Sequence, residues 1–190
     1  MLPLTIPISK ETINSLKVGD VVTLTGTIYT GRDAVHKYLH EGGKLPSEVK
    51  LRDGVLYHCG PVMMKQEDGS YLCTAAGPTT SIREEPYQSQ VIRDLGLRAV
   101  IGKGGMGDKT VQACKDFGCV YLHAVGGAAQ VYAETIKRVT NVYMMEFGSP
   151  EAVWELQVEG FIATVTIDAH GNSLHRDILN KSTRVLVDLI

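Results

Sequence analysis

Between residues 86 and 139 the sequence switches repeatedly between helical and extended patterning, and this alternation constrains the fold more than any other feature. Residues 86–96 (PYQSQVIRDLG) read as a helix, 98–104 (RAVIGKG) as a strand, and 108–118 (DKTVQACKDFG) as a second helix. A strand over 119–127 (CVYLHAVGG) and a third helix over 128–139 (AAQVYAETIKRV) follow. Short apolar strands separated by amphipathic helices pair in parallel, because each helix returns the chain to the end of the sheet where the last strand began. Such a sheet is covered on both faces and needs a large apolar complement; 44% hydrophobic residues over 190 positions supply it.

The flanking regions are β-rich. Residues 18–31 (VGDVVTLTGTIYTG) alternate and are rich in Val and Thr, and residues 54–77 read as two strands around the turn QEDGS at 66–70. Between them, 32–43 (RDAVHKYLHEGG) reads as a short helix capped by Asp33 and stopped by Gly42-Gly43. Residues 155–172 return to strand composition and turn at His170-Gly171-Asn172. The expectation is one α/β domain over 1–190 with β, β and α layers and a short C-terminal tail, without repeats or linkers.

Several function classes are disfavoured at once. A net charge of −2 lacks the basic face of a nucleic-acid binder. No apolar run approaches the ~20 residues of a membrane span, and the N-terminus lacks the layout of a secretion signal, so the chain reads as cytoplasmic. The four cysteines, Cys59, Cys73, Cys114 and Cys119, include no closely spaced pair of metal-ligand type. Cys114, Cys119 and His123 fall across a helix and a strand, so no metal site within this chain is expected and the thiols read as buried.

The chemistry gathers in two stretches. In AVIGKGGMGDKT, residues 99–110, Gly102, Gly104 and Gly107 spell the dinucleotide-binding pattern, but the following strand ends without the required acid. The same residues approach a phosphate loop, but Asp108 interrupts it with a like charge. What remains is a strand-to-helix turn whose amides suit an anion, with Lys103 at its mouth; the plain alternative is an ordinary turn with a solvated lysine. The second stretch, AAGPTTSIR at 75–83, places Thr79, Thr80 and Arg83 together, a hydroxyl, amide and guanidinium set suited to a small carboxylate or phosphate.

These two stretches occur in order with TGTIYTGRDAVHKYL (25–39) and GSPEAVWELQVEGFIATVTIDAHGNSL (148–174). Together they resemble the β subunit of two-subunit class I fumarases, which is similar to the C-terminal domain of the single-chain enzymes and to the β subunit of L-tartrate dehydratase. The resemblance runs from about residue 5 to 185. It implies a swivelling β/β/α three-layer domain of the iron–sulfur hydro-lyase type and reversible hydration of fumarate to malate. It also implies a [4Fe–4S] cluster ligated by a separate α subunit, and hence a hetero-oligomer. By the resemblance, Arg32, Arg83 and Lys103 are the residues that bind the substrate carboxylates, and Thr79 matches the proposed base. A free threonine hydroxyl is too weak an acid for that role without strong local activation.

His36, Thr80 and Gly104 are candidate supporting residues. His36, one helical turn after Arg32, either orients Arg32 or a substrate group, or is a hydrogen-bonded helix histidine. Glu84 and Glu85 read as first-turn acids of the helix at 86–96. His58, His123, His170 and His175 have no assigned role, and Trp154 and the Met63-Met64 and Met144-Met145 pairs read as packing or interface. L-tartrate dehydration is the sibling alternative. The readings from other classes are a nucleotide-binding oxidoreductase domain and a non-catalytic scaffold.

Overall fold

A computed structural model describes residues 1–189 of the chain. In order, the elements are β1 (Leu2–Thr5), α1 (Lys10–Ser15), β2 (Val21–Thr30), α2 (Asp33–His40), β3 (Val55–Tyr57), β4 (Val62–Lys65) and β5 (Tyr71–Ala75). After a 3₁₀ turn at Ser81–Glu84 come α3 (Glu85–Leu95), β6 (Ala99–Gly102), α4 (Asp108–Phe117), β7 (Val120–His123) and α5 (Ala129–Thr135). The chain ends with β8 (Ile136–Tyr143), β9 (Val153–Ile167) and α6 (Leu174–Leu189). The fold is mixed α/β. No helix among the described residues is long and apolar enough to cross a membrane.

The main sheet has the order β1-β2-β3-β6-β7-β9-β8, and β2 also pairs with β9. β2, β3, β6 and β7 run parallel; the alternation at 86–127 accounts for β6 and β7, and β2 and β3 join them from the flanking region. β9 runs antiparallel to them. Its C-terminal part pairs with β7 (Leu122↔Val165) and its middle with β2 (Leu24↔Phe161, Tyr29↔Glu155). Strands β2, β3, β6, β7 and β9 therefore form a closed hydrogen-bonded circuit.

Period-2 alternation sends successive side chains to two cores. Val55, Tyr57, Ala99, Ile101, Val120 and Leu122 join Trp154 and Phe161 on one side, which the β4–β5 hairpin and α5 help to cover. Leu56, Val100 and Tyr121 point the other way, into a cluster with Val35 of α2, Ile92 of α3 and Val111 and Cys114 of α4. All four cysteines are buried free thiols.

Three local expectations are corrected. The helix at 128–139 stops at Thr135, whose hydroxyl folds back onto the Tyr132 carbonyl (2.7 Å), and Ile136–Tyr143 becomes β8. Its β-branched residues pair along the free edge of β9 (Ile136↔Val158, Tyr143↔Val153), and that tertiary pairing overrides a helical local pattern. The C-terminal tail contains helix α6. Asp33 is the first residue of α2 rather than its cap; Arg32 occupies the cap position and makes no side-chain cap bond.

The glycine loop after β6 is occupied by the protein itself. The Glu85 carboxylate accepts hydrogen bonds from the amides of Gly107 (2.8 Å), Lys109 (3.0 Å) and Thr110 (3.2 Å) and from the Thr110 hydroxyl (2.7 Å). A Cβ on Gly107 would sit 2.8 Å from that carboxyl group and would displace it from these bonds. The N-terminus of α4, where a nucleotide phosphate would lie, is thus capped from the first turn of α3, which removes the physical basis of the nucleotide reading. Glu85→Ala is expected to lower stability by about 2 kcal/mol, because charge-assisted cap bonds are lost. Urea unfolding of the two proteins, with an unchanged m value, checks this.

Candidate active site

The residues selected from the sequence gather at the C-terminal ends of the parallel strands, the end at which open α/β sheets bind ligands. The segment Pro78–Ser81 crosses the ends of β3 and β6. The Thr79 amide donates to the His58 carbonyl (2.7 Å), the Lys103 amide to the Thr79 carbonyl (3.2 Å), and the Ser81 amide to the Lys103 carbonyl (3.0 Å). Gly102 makes the crossing possible, since a Cβ there would collide with the Ser81 hydroxyl. Thr80 and Lys103 are bridge partners, and Thr80 is exposed. Gly104, also exposed, holds a left-handed φ of +79° beside the Thr80 methyl. The Lys103 stem lies against Gly126 in the turn after β7. The Thr79 hydroxyl oxygen is buried and has no hydrogen-bond partner.

A second group of residues forms where β2 ends. Arg83, projecting from the 3₁₀ turn, grips Asp33 through Nε (3.0 Å) and Nη2. Arg32 places Nε 3.4 Å from Glu151 and Nη2 3.7 Å from Asp33, and it lies over Gly60, whose missing side chain leaves it room. Burial pushes the Asp33 carboxyl up, but the bond to Arg83 and the charge of Arg83 outweigh it and hold the group below the usual range. Arg83 is half exposed, so its pair with Asp33 contributes little to stability and can exchange for another carboxylate. Arg32 and Arg83 thus meet through Asp33, while Thr79, Thr80 and Lys103 meet through backbone rungs. The stretch 79–83 joins the two groups.

Beneath both groups lies a buried polar network that sequence reasoning did not assign. His36 Nδ1 faces the Arg32 carbonyl (2.8 Å), which can only accept, so Nδ1 carries the proton. Burial pushes the imidazole below its ordinary value and keeps it neutral, which leaves Nε2 an acceptor. One Gln88 carboxamide atom lies 3.0 Å from His36 Nε2 and 2.8 Å from His58 Nε2. Chemistry assigns the amide nitrogen to that position, donating one hydrogen to each ring. His58, whose charged form is disfavoured first by burial and then by His36, then donates from Nδ1 to the Ser81 hydroxyl (2.8 Å). Ser81 also accepts from Tyr121 (2.9 Å). His36 is therefore the hydrogen-bonded helix histidine, and its bond to the Arg32 carbonyl also fixes the arginine's backbone. No spacing marks His58, Gln88, Ser81 or Tyr121 as partners.

Glu84, read as a first-turn acid, is 1% exposed, and neither carboxyl oxygen has a hydrogen-bond partner. Its Oε2 lies 3.6 Å from His36 Nδ1. Burial, followed by the Asp33 charge, pushes this carboxyl up to about 7, against the opposing pull of Arg83.

The thiols do not fit an iron–sulfur cluster. Cys59 and Cys73 are packed in one core and Cys114 and Cys119 in the other, so the four do not converge as a ligand set. Among the described residues no three His, Cys, Asp or Glu side chains gather as a metal site. A separate cavity of about 610 Å³, lined by Leu39, Leu45 and Leu95 among others, contains none of the candidate site residues.

Known proteins resemble this chain along nearly all of its length. The family model described as "Fumarase C-terminus" matches residues 2–178. A Geobacillus stearothermophilus protein provisionally named fumarate hydratase class I is 56% identical over 186 residues, 98% of this chain, and the chain spans only 36% of that protein. A Methanocaldococcus jannaschii protein provisionally named L(+)-tartrate dehydratase subunit beta is 42% identical, covering 96% of this chain and 95% of its own length. The L(+)-tartrate dehydratase subunit beta of Escherichia coli K12 is 37% identical over 172 residues, 90% of this chain and 85% of its own. Extending over nearly every element described above, this similarity places the chain in the fumarase C-terminus family.

Proposed function

We propose that this chain is the β component of a hydro-lyase that hydrates fumarate to malate reversibly, working with an α subunit that completes the site. The observation that carries the reading is that residues 79–83 link a pair of guanidiniums, Arg32 and Arg83, to the Lys103 strand end and to the buried unpartnered Thr79 hydroxyl. Four-carbon dicarboxylates need separated cationic contacts, and Arg32, Arg83 and Lys103 provide them from different loops.

In this reading Arg83 exchanges Asp33 for a substrate carboxylate, keeping a bidentate contact throughout. Lys103 supplies a point charge beside the Thr79 rung, which lowers the cost of a charged oxygen at Thr79. In hydration the Thr79 hydroxyl, free of any protein partner, gives its proton to the substrate carbon and is left as an alkoxide, and in dehydration that alkoxide takes the proton back. The [4Fe–4S] cluster belongs to the α subunit, where it would act as a Lewis acid on the substrate hydroxyl. Exposed Ile82, Val125 and Val131 near the site suit a subunit contact that closes it, and a swivel of this domain would open it.

Dehydration of L-tartrate is the second reading, favoured by one observation: two relatives named as L(+)-tartrate dehydratase subunit beta are 42% and 37% identical to this chain. An anaerobic assay of the chain with its α partner, comparing fumarate and L-tartrate, separates the two. Rapid fumarate hydration that is lost when this chain is omitted is expected; turnover of tartrate alone would transfer the assignment to the sibling activity.

Arg83→Ala is expected to lower kcat/KM by about two to four decades, several kcal/mol of transition-state stabilisation, with the fold intact by circular dichroism. Thr79→Val offers a sharper comparison. Because the hydroxyl has no partner to lose, stability should hold or rise slightly while turnover falls by at least about a hundredfold. Retained turnover would remove Thr79 from proton transfer.

A further inference from the structure

Glu84 has no place in the proton transfer just described, yet it is the most unusual carboxyl in the chain. It sits at the junction of the 3₁₀ turn and α3, next in sequence to Arg83, and is 1% exposed. Ionised carboxylates are almost never buried without hydrogen bonds, because desolvation costs more than an unpaired charge recovers. Both oxygens of Glu84 lack such bonds.

The surroundings explain how the group remains there. Asp33 and His36 face it from α2, with Arg32 just before that helix, and Glu151 approaches from the loop before β9. Arg83 lies on its own turn, and neutral Gln88 and His58 complete the buried side. The two guanidiniums are already matched by two carboxylates, Arg83 by Asp33 and Arg32 by Glu151. A charged Glu84 would therefore make the group net negative. One turn along α3, the Gln88 carboxamide end that points away from the histidines also lacks a partner. With its nitrogen engaged by the imidazoles, that end is an acceptor, on the same helix face as Glu84. Glu84 and this Gln88 end are not bonded to each other, so what a proton on Glu84 removes is the uncompensated charge of the corner.

We propose that Glu84 is the positioning residue that sets the charge of the clamp: it is neutral when Arg32 and Arg83 receive an anionic ligand, and its ionisation draws both guanidiniums inward and weakens that ligand's binding. The inference deepens the dicarboxylate reading and rests on it. Burial together with Asp33 holds the carboxyl up to about 7, so the switch falls where the carboxylates of a fumarate-like ligand are already fully ionised.

Two measurements test it. In the first, the full chain is labelled with ¹³C at glutamate carboxyls and titrated by NMR, with Glu84→Gln identifying the signal. A midpoint near neutrality that falls in Asp33→Asn is expected; a Glu84 signal already ionised at pH 5 would overturn the proposal. This arm needs no substrate and stands apart from the functional reading. In the second, KM and kcat of the assembled enzyme are followed from pH 6 to 8. Wild-type KM should rise about tenfold more than that of Glu84→Gln, a neutral isostere that retains tight binding at pH 8, while the kcat ratio stays flat. Parallel KM profiles would overturn the proposal. Absence of dicarboxylate turnover in every protein at every pH would overturn the substrate reading, and with it the ligand half of this one.

Discussion

The pairing of β9 with both β2 and β7 is the constraint from which the rest of the molecule follows. A parallel run β2-β3-β6-β7 would by itself end in two open edges; one long antiparallel strand joins them. That closure brings Glu151, just ahead of β9, against Arg32 at the end of β2, although the two lie far apart in sequence. It also seals Trp154 and Phe161 inside the circuit, where they support Tyr57 and the strands that end at the site. Side chains at the carboxyl ends of β2, β3 and β6 can then be specified from several loops with little freedom, as a site for a small rigid ligand demands.

The anion-binding logic moved by one segment. Pattern alone draws attention to Gly102–Gly107 and the start of α4, but an internal carboxylate occupies those amides. The candidate site lies instead where Pro78–Ser81 crosses the strand ends, and Lys103 is the residue common to both stretches. Glycine at 102 serves this crossing rather than a phosphate: its missing side chain makes room for Ser81. A glycine motif reports where backbone approaches closely, and tertiary structure decides what does the approaching.

Much of the fold was legible because periodicity is local. The strands β2, β6 and β7, the β4–β5 hairpin and helices α2 to α4 follow from alternating or helical spacing of apolar residues. β3 does not, since residues 54–65 read as one strand ahead of the QEDGS turn and instead divide between the main sheet and the hairpin. β8 was not legible as a strand, since Ile136-Lys137-Arg138-Val139 satisfies either period and only the edge of β9 selects one. β1 is short and α6 is apolar on an exposed side, so neither leaves a clear signature of burial. At the site, Thr79, Arg83 and Lys103 stood out through local pattern and chemical type, and Arg32 through the family resemblance. Glu84, Gln88 and His58 did not. Gln88 meets His36 across 52 residues and His58 across 30, and no local rule links such positions.

The Glu85 cap has a mechanical consequence. Glu85 opens α3 immediately after the turn that presents Arg83, and its carboxylate is held by the first turn of α4. The two helices are therefore tied at the same end, within a few residues of the arginine clamp, and Arg83 cannot shift along the sheet without pulling α4 with it. A clamp mounted on this brace moves with the body of the domain, so a swivel that opened the proposed site would have to turn on joints elsewhere.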